Sequence, residues 1–558
     1  MKCLVSEMIG VQLVVFSVVA AGLEARLLEF PPGFKFGAAT ASYQIEGAWN
    51  ASVFVADKTA NIWDEFTHKH RDRVKDGSNG DVACDSYHQW ERDVEMAAEL
   101  GLDFYRFSLS WTRLLPTGFG HAVSEDGKTY YNKLIDALLA KGIEPVVTLY
   151  HWDMPQRFQD LGGWANPLVV DWFAAYARVA FDLYADRVKT WITINEPVIV
   201  CDASYSGFLA PAVRDDEVGV YLCNKNILLA HAKAWRIYDV EFRPKYKGQI
   251  SWSNHLVWFE PASKAEKEMT ALAMEHCAGR YSHPIFSKQG GWPPALEKFI
   301  AEKSIKEGFR RSRLPAFTNE EIELIRGTYD FYGLNHYTSK VVRLPRPGET
   351  PTGWPLYGSP ELGVILEARP QWKPTSCSWL KQNPKGFRNL LVWLKEQYGD
   401  QKFLVTENGF PTTGSNLDDT ERVQFYKDYL TQMLLAMKKD NVNVVGYTAW
   451  SLMDNFEWVD GYSNKFGLYE VNFTDPERPR VPRRSATFYA DVIKNRALDE
   501  YEDRTAYVAW VVIGSLLVFV TVAAVLYKYI KRIRDKRKPE YESVALHNNT
   551  TPKSFLTQ

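Results

Sequence analysis

Short apolar runs alternate with longer helix-like segments along this chain, and this alternation restricts the possible folds more than any other feature. Eight runs are rich in β-branched and aromatic residues: FKFGAATASYQ, LDFYRFSLSW, IEPVVTLYHW, VKTWITINEP, GQISWSNHLVWF, YDFYGLNHYT, KFLVTENG and NVVGYTAWSLMDNFEW. Helical patterns such as YYNKLIDALLAKG and LVVDWFAAYARVAFDLYADR lie between most of them. Strands that alternate with helices predict a parallel sheet with crossover connections. Eight such units predict an α/β fold, a (β/α)8 TIM barrel with long loops.

An open doubly wound sheet is the alternative arrangement of the same units. A dinucleotide-binding sheet of that kind carries a G-x-G-x-x-G turn after its first strand, but GAATASYQ stands there. The barrel is therefore favoured. Because no linker-like tract or internal repeat interrupts the pattern, we predict one barrel domain over residues 27–497.

Both ends of the chain carry membrane signals. Residues 1–25 combine Lys2 with the apolar run Val11–Gly22, as in a secretory signal peptide. Residues 506–527 contain no charge, and at about 1.5 Å per residue they are long enough to cross a hydrocarbon core of about 30 Å. Acidic LDEYED precedes this span and basic KYIKRIRDKRK follows it, which places residues 528–558 as a short cytoplasmic tail. The sequence thus predicts a single-pass type I membrane protein whose barrel is extracellular or in the secretory or endosomal lumen.

The same orientation bears on glycans and cysteines. Asn50 and Asn472 lie in sequons on the predicted outer side and are predicted glycosylation sites. Five cysteines remain once Cys3 leaves with the signal peptide, so at least one is unpaired. The pairing stays open among Cys84, Cys201, Cys223, Cys277 and Cys377. No cysteine or histidine spacing indicates a metal, and we predict no cofactor. A net charge of −2 gives no indication of a nucleic-acid partner.

Polar residues follow the predicted strands, at the barrel end where function is located in this architecture. Seven of the eight runs become polar there: Gln44, Arg106, His151 with Trp152, Asn195 with Glu196, Asn335 with Tyr337, Glu407, and Glu457 with Trp458. Two carboxylates among hydrogen-bond donors are the groups that glycoside cleavage needs. One must be protonated to release the aglycone oxygen, and the other ionised to attack or stabilise the anomeric carbon. The fourth and seventh strands lie across the lumen, so Glu196 and Glu407 would face opposite sides of a sugar.

The ordered motifs resemble glycoside hydrolase family 1. The matching segments are FGAATASYQIEGA, NGDVACDSYHQWERD, YRFSLSWTRLLPTG, VVTLYHWDMPQ, TINEP, LLAHAKA, DFYGLNHYTS, VTENG, YTAWSLMDNFEW and GYSNKFGLY. The resemblance covers nearly all of the barrel region. A single copy before a membrane span is similar to the group that contains lactase-phlorizin hydrolase, lactase-like protein and the klothos.

The resemblance implies a role for each strand-end residue. Glu407 becomes the nucleophile and Glu196 the acid/base, about 5–5.5 Å apart, with retention of configuration. Arg106 would favour the ionised form of Glu407, and Tyr337 would hydrogen-bond to it. The remaining predicted substrate-binding residues are Asn195 at the sugar 2-hydroxyl, Gln44, His151 and Glu457 at other hydroxyls, Trp450 as stacking floor, Phe466 near the 6-position, and Trp152, Asn335 and Trp458 alongside.

Each assignment has a structural alternative. Arg106 could be a buried ion-pair partner and His151 a core histidine. Trp450 and Trp458 could fill the core, and Glu457 could be a solvated loop residue.

Three positions depart from the family pattern. DKTANIWD replaces a Gly-rich turn, Lys385 stands where the family usually has Trp, and Ala212 stands where it has Gly. These departures put loop conformation and aglycone preference in doubt more than catalysis.

The predicted function is a retaining β-glycosidase for β-glucosides and/or β-galactosides, either small molecules or oligosaccharides. One alternative is a catalytically weak or inactive klotho-like or lactase-like binding or chaperone protein. Another is a myrosinase-like thioglucosidase.

Overall fold

A computed structural model describes residues 28–49, 58–351, 357–498 and 504–536. All eight predicted runs form strands, and these strands close into a barrel. They are β1 (Lys35–Ala39), β2 (Phe104–Ser108), β3 (Glu144–Tyr150), β4 (Thr190–Asn195), β5 (Gln249–His255), β6 (Tyr332–Asn335), β7 (Phe403–Asn408) and β8 (Val444–Trp450). Each strand pairs in parallel with the next, and β8 returns to β1. The predicted TIM barrel is confirmed.

The barrel strands are buried on both faces, which explains their nearly continuous apolar sequences. Phe104, Val146, Ile192 and Leu404 pack with Phe331 inside the barrel. These residues lie in the first half of their strands or, for Phe331, directly before β6. They fill the amino-terminal half of the lumen and leave the carboxyl end for a cavity.

Helices surround the barrel and connect its strands. The helix Glu125–Ala140 begins after Ser124, whose Oγ accepts a hydrogen bond from the Gly127 N–H at 3.0 Å. The helices of eight or more residues in the barrel unit are Ile62–Lys69, Ser86–Glu99, Glu125–Ala140, Val169–Tyr184, Gly219–Ile237, Lys267–Met274, Pro294–Lys306, Pro384–Tyr398, Thr420–Lys439 and Arg484–Asn495. Shorter helices are Ser42–Ile45, Trp111–Leu114, Gln156–Asp160, Arg243–Tyr246, Arg280–Phe286, Asn319–Ile325 and Ser359–Leu362.

Small sheets form in the long loops. Trp258–Pro261, Ser339–Arg343 and Ile365–Glu367 make a three-stranded sheet from the loops after β5 and β6. Lys373–Pro374 pairs with Lys381–Gln382, and Tyr469–Val471 pairs with Arg480–Pro482. Leu28–Glu29 and Ala497–Leu498 are two-residue strands.

A disulfide joins Cys201 to Cys223, which answers the pairing question left open by the sequence. Cys84, Cys277 and Cys377 are free and buried. The bond connects the π-helical turn Ile199–Ala203, which follows Glu196, to the helix Gly219–Ile237.

A second compact unit contains the helix Arg504–Lys536. Its part Val512–Lys536, 25 residues that include an 18-residue stretch with mean hydropathy 2.0, is by length and composition sufficient to cross a membrane. The predicted span 506–527 falls within this helix. The predicted signal peptide 1–25, the sequon at Asn50 and tail residues 537–558 lie outside the described residues.

Candidate active site

A cavity of about 490 Å³ opens at the carboxyl end of the barrel strands. Both predicted catalytic residues line it, together with most of the predicted substrate-binding set. The predicted residues in its wall are Glu196, Glu407, His151, Trp152, Tyr337, Trp450, Glu457, Trp458 and Phe466. Gln44, Arg106, Asn195 and Asn335 lie behind this wall, where they support it.

Glu407 is held by a cation and a phenol at the end of β7. Its Oε1 accepts a hydrogen bond from Arg106 Nη1 at 2.7 Å, and its Oε2 accepts one from Tyr337 Oη at 2.9 Å. Arg106 is only 1% exposed and also donates to the Thr406 carbonyl at 2.8 Å. Arg106 is therefore an ion-pair partner, as in its structural alternative, but the carboxylate it pairs with is the predicted nucleophile.

Glu196 is held by an amide and an imidazole directly after β4. Its Oε1 accepts from Asn335 Nδ2 at 2.7 Å and lies 3.2 Å from His255 Nδ1. Its backbone is left-handed, with φ 50°, and its N–H donates to the Ser253 carbonyl at 2.8 Å. A left-handed non-glycine residue is a strained arrangement that often marks a functional position.

His255 is a site residue that the sequence analysis does not include, although it ends β5, the one strand without an assigned polar end. The run GQISWSNHLVWF was interpreted as one strand, and its apolar end at Phe259 hid the polar residue. In the structure β5 ends at His255, and Trp258–Pro261 belongs to the separate three-stranded sheet. A strand boundary four residues earlier, at His255, places this residue with the other strand-end side chains.

Asn195 connects the environments of the two carboxyl groups. Its Oδ1 accepts from Arg106 Nη2 at 2.7 Å and from Asn335 Nδ2 at 3.1 Å. Its Nδ2 lies 3.1 Å from His151 Nε2 and donates to it. An accepting Nε2 requires the neutral tautomer with its proton on Nδ1. Burial and the nearby Arg106 charge lower the pKa of His151 well below its usual value, which agrees with that tautomer.

The negative charge of Glu196 is part of the electrostatic environment of Glu407. Burial raises the pKa of Glu407 to about 7; Glu196 adds to the increase, whereas Arg106 and the Tyr337 hydrogen bond oppose it. Interacting carboxyls of this kind lose their protons in separate steps. The first negative charge is best accommodated on Glu407, because a guanidinium and a phenol donate to it. Glu196 contacts the amide of Asn335 and the imidazole of His255, and no guanidinium or phenol among the described residues donates to it.

Gln44 lies in the short helix Ser42–Ile45 and is fully buried. Its Nε2 donates to Asn455 Oδ1 at 2.8 Å and to the Phe456 carbonyl at 2.9 Å. These bonds hold the loop that carries Glu457. Gln44 Oε1 has no hydrogen-bond partner among the described residues and remains available as an acceptor. The predicted contact between Gln44 and a sugar hydroxyl stays a prediction.

Aromatic rings and a third carboxyl complete the wall. The His151 ring stacks with Trp450 at 5.8 Å and with Trp458 at 6.0 Å, and Trp152 lies 4.5 Å from Trp458. Burial raises the pKa of Glu457 well above its usual value, and the negative charges of Asp460 and Glu407 add to this. Polar groups beside flat ring faces suit a sugar, whose C–H surfaces are apolar.

The departure at Ala212 has a clear structural effect. Ala212 adopts φ 62°, the left-handed region that glycine occupies without cost. Lys385 lies in the first turn of the helix Pro384–Tyr398, away from the cavity wall.

Among the described residues, no group of three or more His, Cys, Asp or Glu side chains is arranged to hold a metal.

Glu196 and Glu407 are buried carboxyl groups with different hydrogen-bond partners, and they lie beside an aromatic wall at the carboxyl end of a (β/α)8 barrel. These features are those of a glycoside hydrolase. The chain belongs to glycosyl hydrolase family 1, whose model matches residues 27–498. It is 44% identical over 469 residues to Myrosinase 1 of Brevicoryne brassicae, covering 83% of this chain and 98% of that protein. It is 41% identical over 485 residues to human cytosolic beta-glucosidase, covering 85% of this chain and 100% of that protein. The solved structure of aphid myrosinase superposes with a TM-score of 0.79 at 43% identity, covering 84% of this chain and 99% of that one.

Proposed function

We propose that the protein is a retaining β-glycosidase that hydrolyses β-glucosides and/or β-galactosides, small molecules or oligosaccharides. The observation that carries this proposal is the difference between the hydrogen-bond partners of the two carboxyl groups. Glu407 accepts from Arg106 and Tyr337, whereas Glu196 faces Asn335 and His255. One residue is thereby suited to attack as an anion and the other to donate a proton.

The reaction proceeds in two displacements. Glu407 attacks the anomeric carbon while Glu196 gives its proton to the glycosidic oxygen, so the aglycone leaves and a glycosyl ester forms on Glu407. Glu196, now ionised, takes a proton from water, and the resulting oxygen attacks the same carbon to release the sugar. Two inversions give net retention, and both carboxyls return to their starting states.

The glycone is assigned to the inner part of the cavity. His151 Nδ1–H is a donor for a sugar hydroxyl, and Glu457 is an acceptor or donor according to its protonation. A contact of the Asn195 amide, which lies behind this wall, with the 2-hydroxyl stays a prediction. Trp450 supplies a stacking surface, and Phe466 closes the wall beside it. Asn195 is already bonded to Arg106, which prepares its orientation before a sugar arrives.

Hydrolysis of aryl β-glucosides and β-galactosides by the purified full-length protein in detergent tests the proposal. Glu407→Gln should abolish turnover, while Glu396→Gln, an exposed change on the helix Pro384–Tyr398, should leave it intact. Azide should restore activity to Glu407→Gly and give a glycosyl azide of inverted configuration. A folded protein with no turnover of either sugar would exclude the enzyme and favour the binding or chaperone alternative.

A thioglucosidase is the second candidate because of the similarity to Myrosinase 1. Parallel assays with an S-linked and an O-linked aryl glucoside separate the two. Faster cleavage of the S-linked compound would replace the proposed O-glycosidase activity.

We also propose the placement of the site outside the cytosol. The predicted boundaries are a signal peptide over 1–25, the barrel domain over 27–497, a membrane span over 506–527 and a tail over 528–558. The apolar helix Val512–Lys536 and the Cys201–Cys223 disulfide, a bond typical of oxidising compartments, support this placement. Asn472 is exposed, as a glycan site requires, and Asn50 is the second proposed site. A peptide N-glycosidase mobility shift that is reduced in Asn472→Gln tests the orientation, and an unmodified chain from secretory cells would contradict it.

A further inference from the structure

Part of the cavity wall consists of residues that the proposed chemistry does not use. Lys340, Trp379 and Leu366 line it, and they come from the long connection between β6 and β7. Trp379 packs edge-on against Tyr337 with ring centroids 5.8 Å apart, and Tyr337 in turn donates to Glu407. This wall therefore belongs to the same cavity as Glu407, and its residues lie outside the set assigned to the glycone.

Lys340 is a half-buried cation without a counter-ion. Its Nζ donates to the Trp379 carbonyl at 3.2 Å, and no carboxylate of the described residues lies within 4.0 Å of it. An ammonium group has three donors, so two of them are left unused by protein groups that the structure describes.

The acids on the two neighbouring strands of the three-stranded sheet are engaged by other cations. Glu260 accepts from Arg369 at 2.7 Å, and Glu367 accepts from Arg343 at 2.9 Å. Burial lowers the pKa of Lys340, and the positive charge of Lys381 lowers it further. A buried charge costs stability unless it is paired, and neither of these acids pairs with Lys340.

We propose that Lys340 forms an anion-binding subsite for the aglycone, so that the preferred substrates are β-glycosides whose aglycone carries a carboxylate, sulfate or phosphate group. Trp379 is half-buried and supplies a flat surface for the body of the aglycone. The anion completes the hydrogen bonding of the ammonium group and replaces the missing counter-ion. This inference rests on the proposed glycosidase activity and specifies its substrate class.

Lys75 provides a matched control within the same cavity. It also lines the wall, but its side chain is 55% exposed and its Nζ lies 4.0 Å from Asp460. An exposed lysine near its own carboxylate is screened and contributes little to binding an anion.

The experiment compares methylumbelliferyl β-glucoside with carboxyumbelliferyl β-glucoside, using full-length protein in detergent. Lys340→Met should lower kcat/KM for the carboxylated substrate by about tenfold, the effect of one charge-assisted hydrogen bond. It should change the neutral substrate by less than about twofold, and Lys75→Met should change the ratio of the two by less than about twofold. Lys340→Arg should retain most of the preference, because it keeps the positive charge.

Several results would overturn the proposal. Equal decreases in kcat/KM for both substrates would mean that Lys340 acts only in the structure, through its hydrogen bond to the Trp379 carbonyl. If Lys340→Met and Lys75→Met changed the kcat/KM ratio of the two substrates equally, the preference would come from the overall positive charge of the cavity and not from a subsite at Lys340. If neither glucoside is hydrolysed, the proposed function fails, and calorimetric titration with the free carboxycoumarin and methylcoumarin still tests the subsite. Tighter binding of the carboxylate that is lost in Lys340→Met supports it, and equal binding of the two refutes it.

Discussion

Replacing Glu407 with glutamine should make the stability of the protein less dependent on pH. Burial raises the pKa of Glu407 from an ordinary value of 4.5 to about 7. Because the folded protein holds this proton more tightly than the unfolded chain, ionisation of Glu407 costs folding free energy. The stabilisation from the bound proton is complete below about pH 4.5 and is lost as the pH rises through about 7.

The size of the effect follows from the two pKa values. Each unit corresponds to about 1.4 kcal/mol, so ionised Glu407 destabilises the native state by about 3 kcal/mol. Glutamine resembles the protonated acid and does not ionise. The unfolding free energy of Glu407→Gln minus that of the wild type should therefore grow by about 3 kcal/mol between acidic and neutral pH, equivalent to about 3 °C in Tm for a domain of this size.

Thermal unfolding of both proteins across this pH range measures the difference directly. Glu396→Gln is the control, because an exposed carboxylate should give a curve parallel to the wild type. A difference between Glu407→Gln and wild type that stays constant with pH, or that shrinks toward neutral pH, would refute the reasoning.

Two further substitutions test the hydrogen bond from Tyr337 to Glu407 and the left-handed backbone at Ala212. Tyr337→Phe removes the 2.9 Å donor to Glu407, which should raise the carboxyl pKa by about one unit. The acidic limb of the kcat/KM profile should move to higher pH, and an unmoved limb would count against the assigned bond. Ala212→Gly relieves a left-handed backbone at φ 62° and should stabilise the domain by about 1 kcal/mol, seen as a higher Tm. Gly207→Ala is the reverse control: at φ 75° the new Cβ would lie 2.6 Å from Arg214 Cγ, and an unchanged Tm in both variants would contradict the strain argument.

Strand order and the meeting of two strand-end carboxyl groups at one cavity could be predicted because both depend on local sequence. A strand buried on two faces needs an unbroken apolar run, and a polar residue at its end then stands out. Glu196 and Glu407 follow this rule, and the structure places both at one cavity. The rule failed for His255, since the chain continues with apolar residues into a strand of another sheet.

The wall formed by Lys340 and Trp379 could not be predicted in this way. Lys340 lies in the short strand Ser339–Arg343 and Trp379 in a turn of the same connection. The sequence SKVVR has no alternation that would show which side chains face the cavity. Gln44 shows the opposite problem. The sequence places Gln44 at a strand end, but its amide nitrogen donates to the loop that carries Glu457. Sequence alone does not distinguish a residue that lines the cavity from one that lies behind its wall.

Because of the Cys201–Cys223 bond, the number of free thiols depends on the compartment in which the chain folds. Cys84, Cys277 and Cys377 stay as thiols, so a denatured chain that folded under oxidising conditions and lost residues 1–25 has three thiols before reduction and five after it. A chain that never left a reducing compartment keeps Cys3 and shows all six cysteines as thiols without reduction. If residues 1–25 are the signal peptide proposed above, mass-tagging of thiols in a cell extract would report both export and removal of that segment in one count.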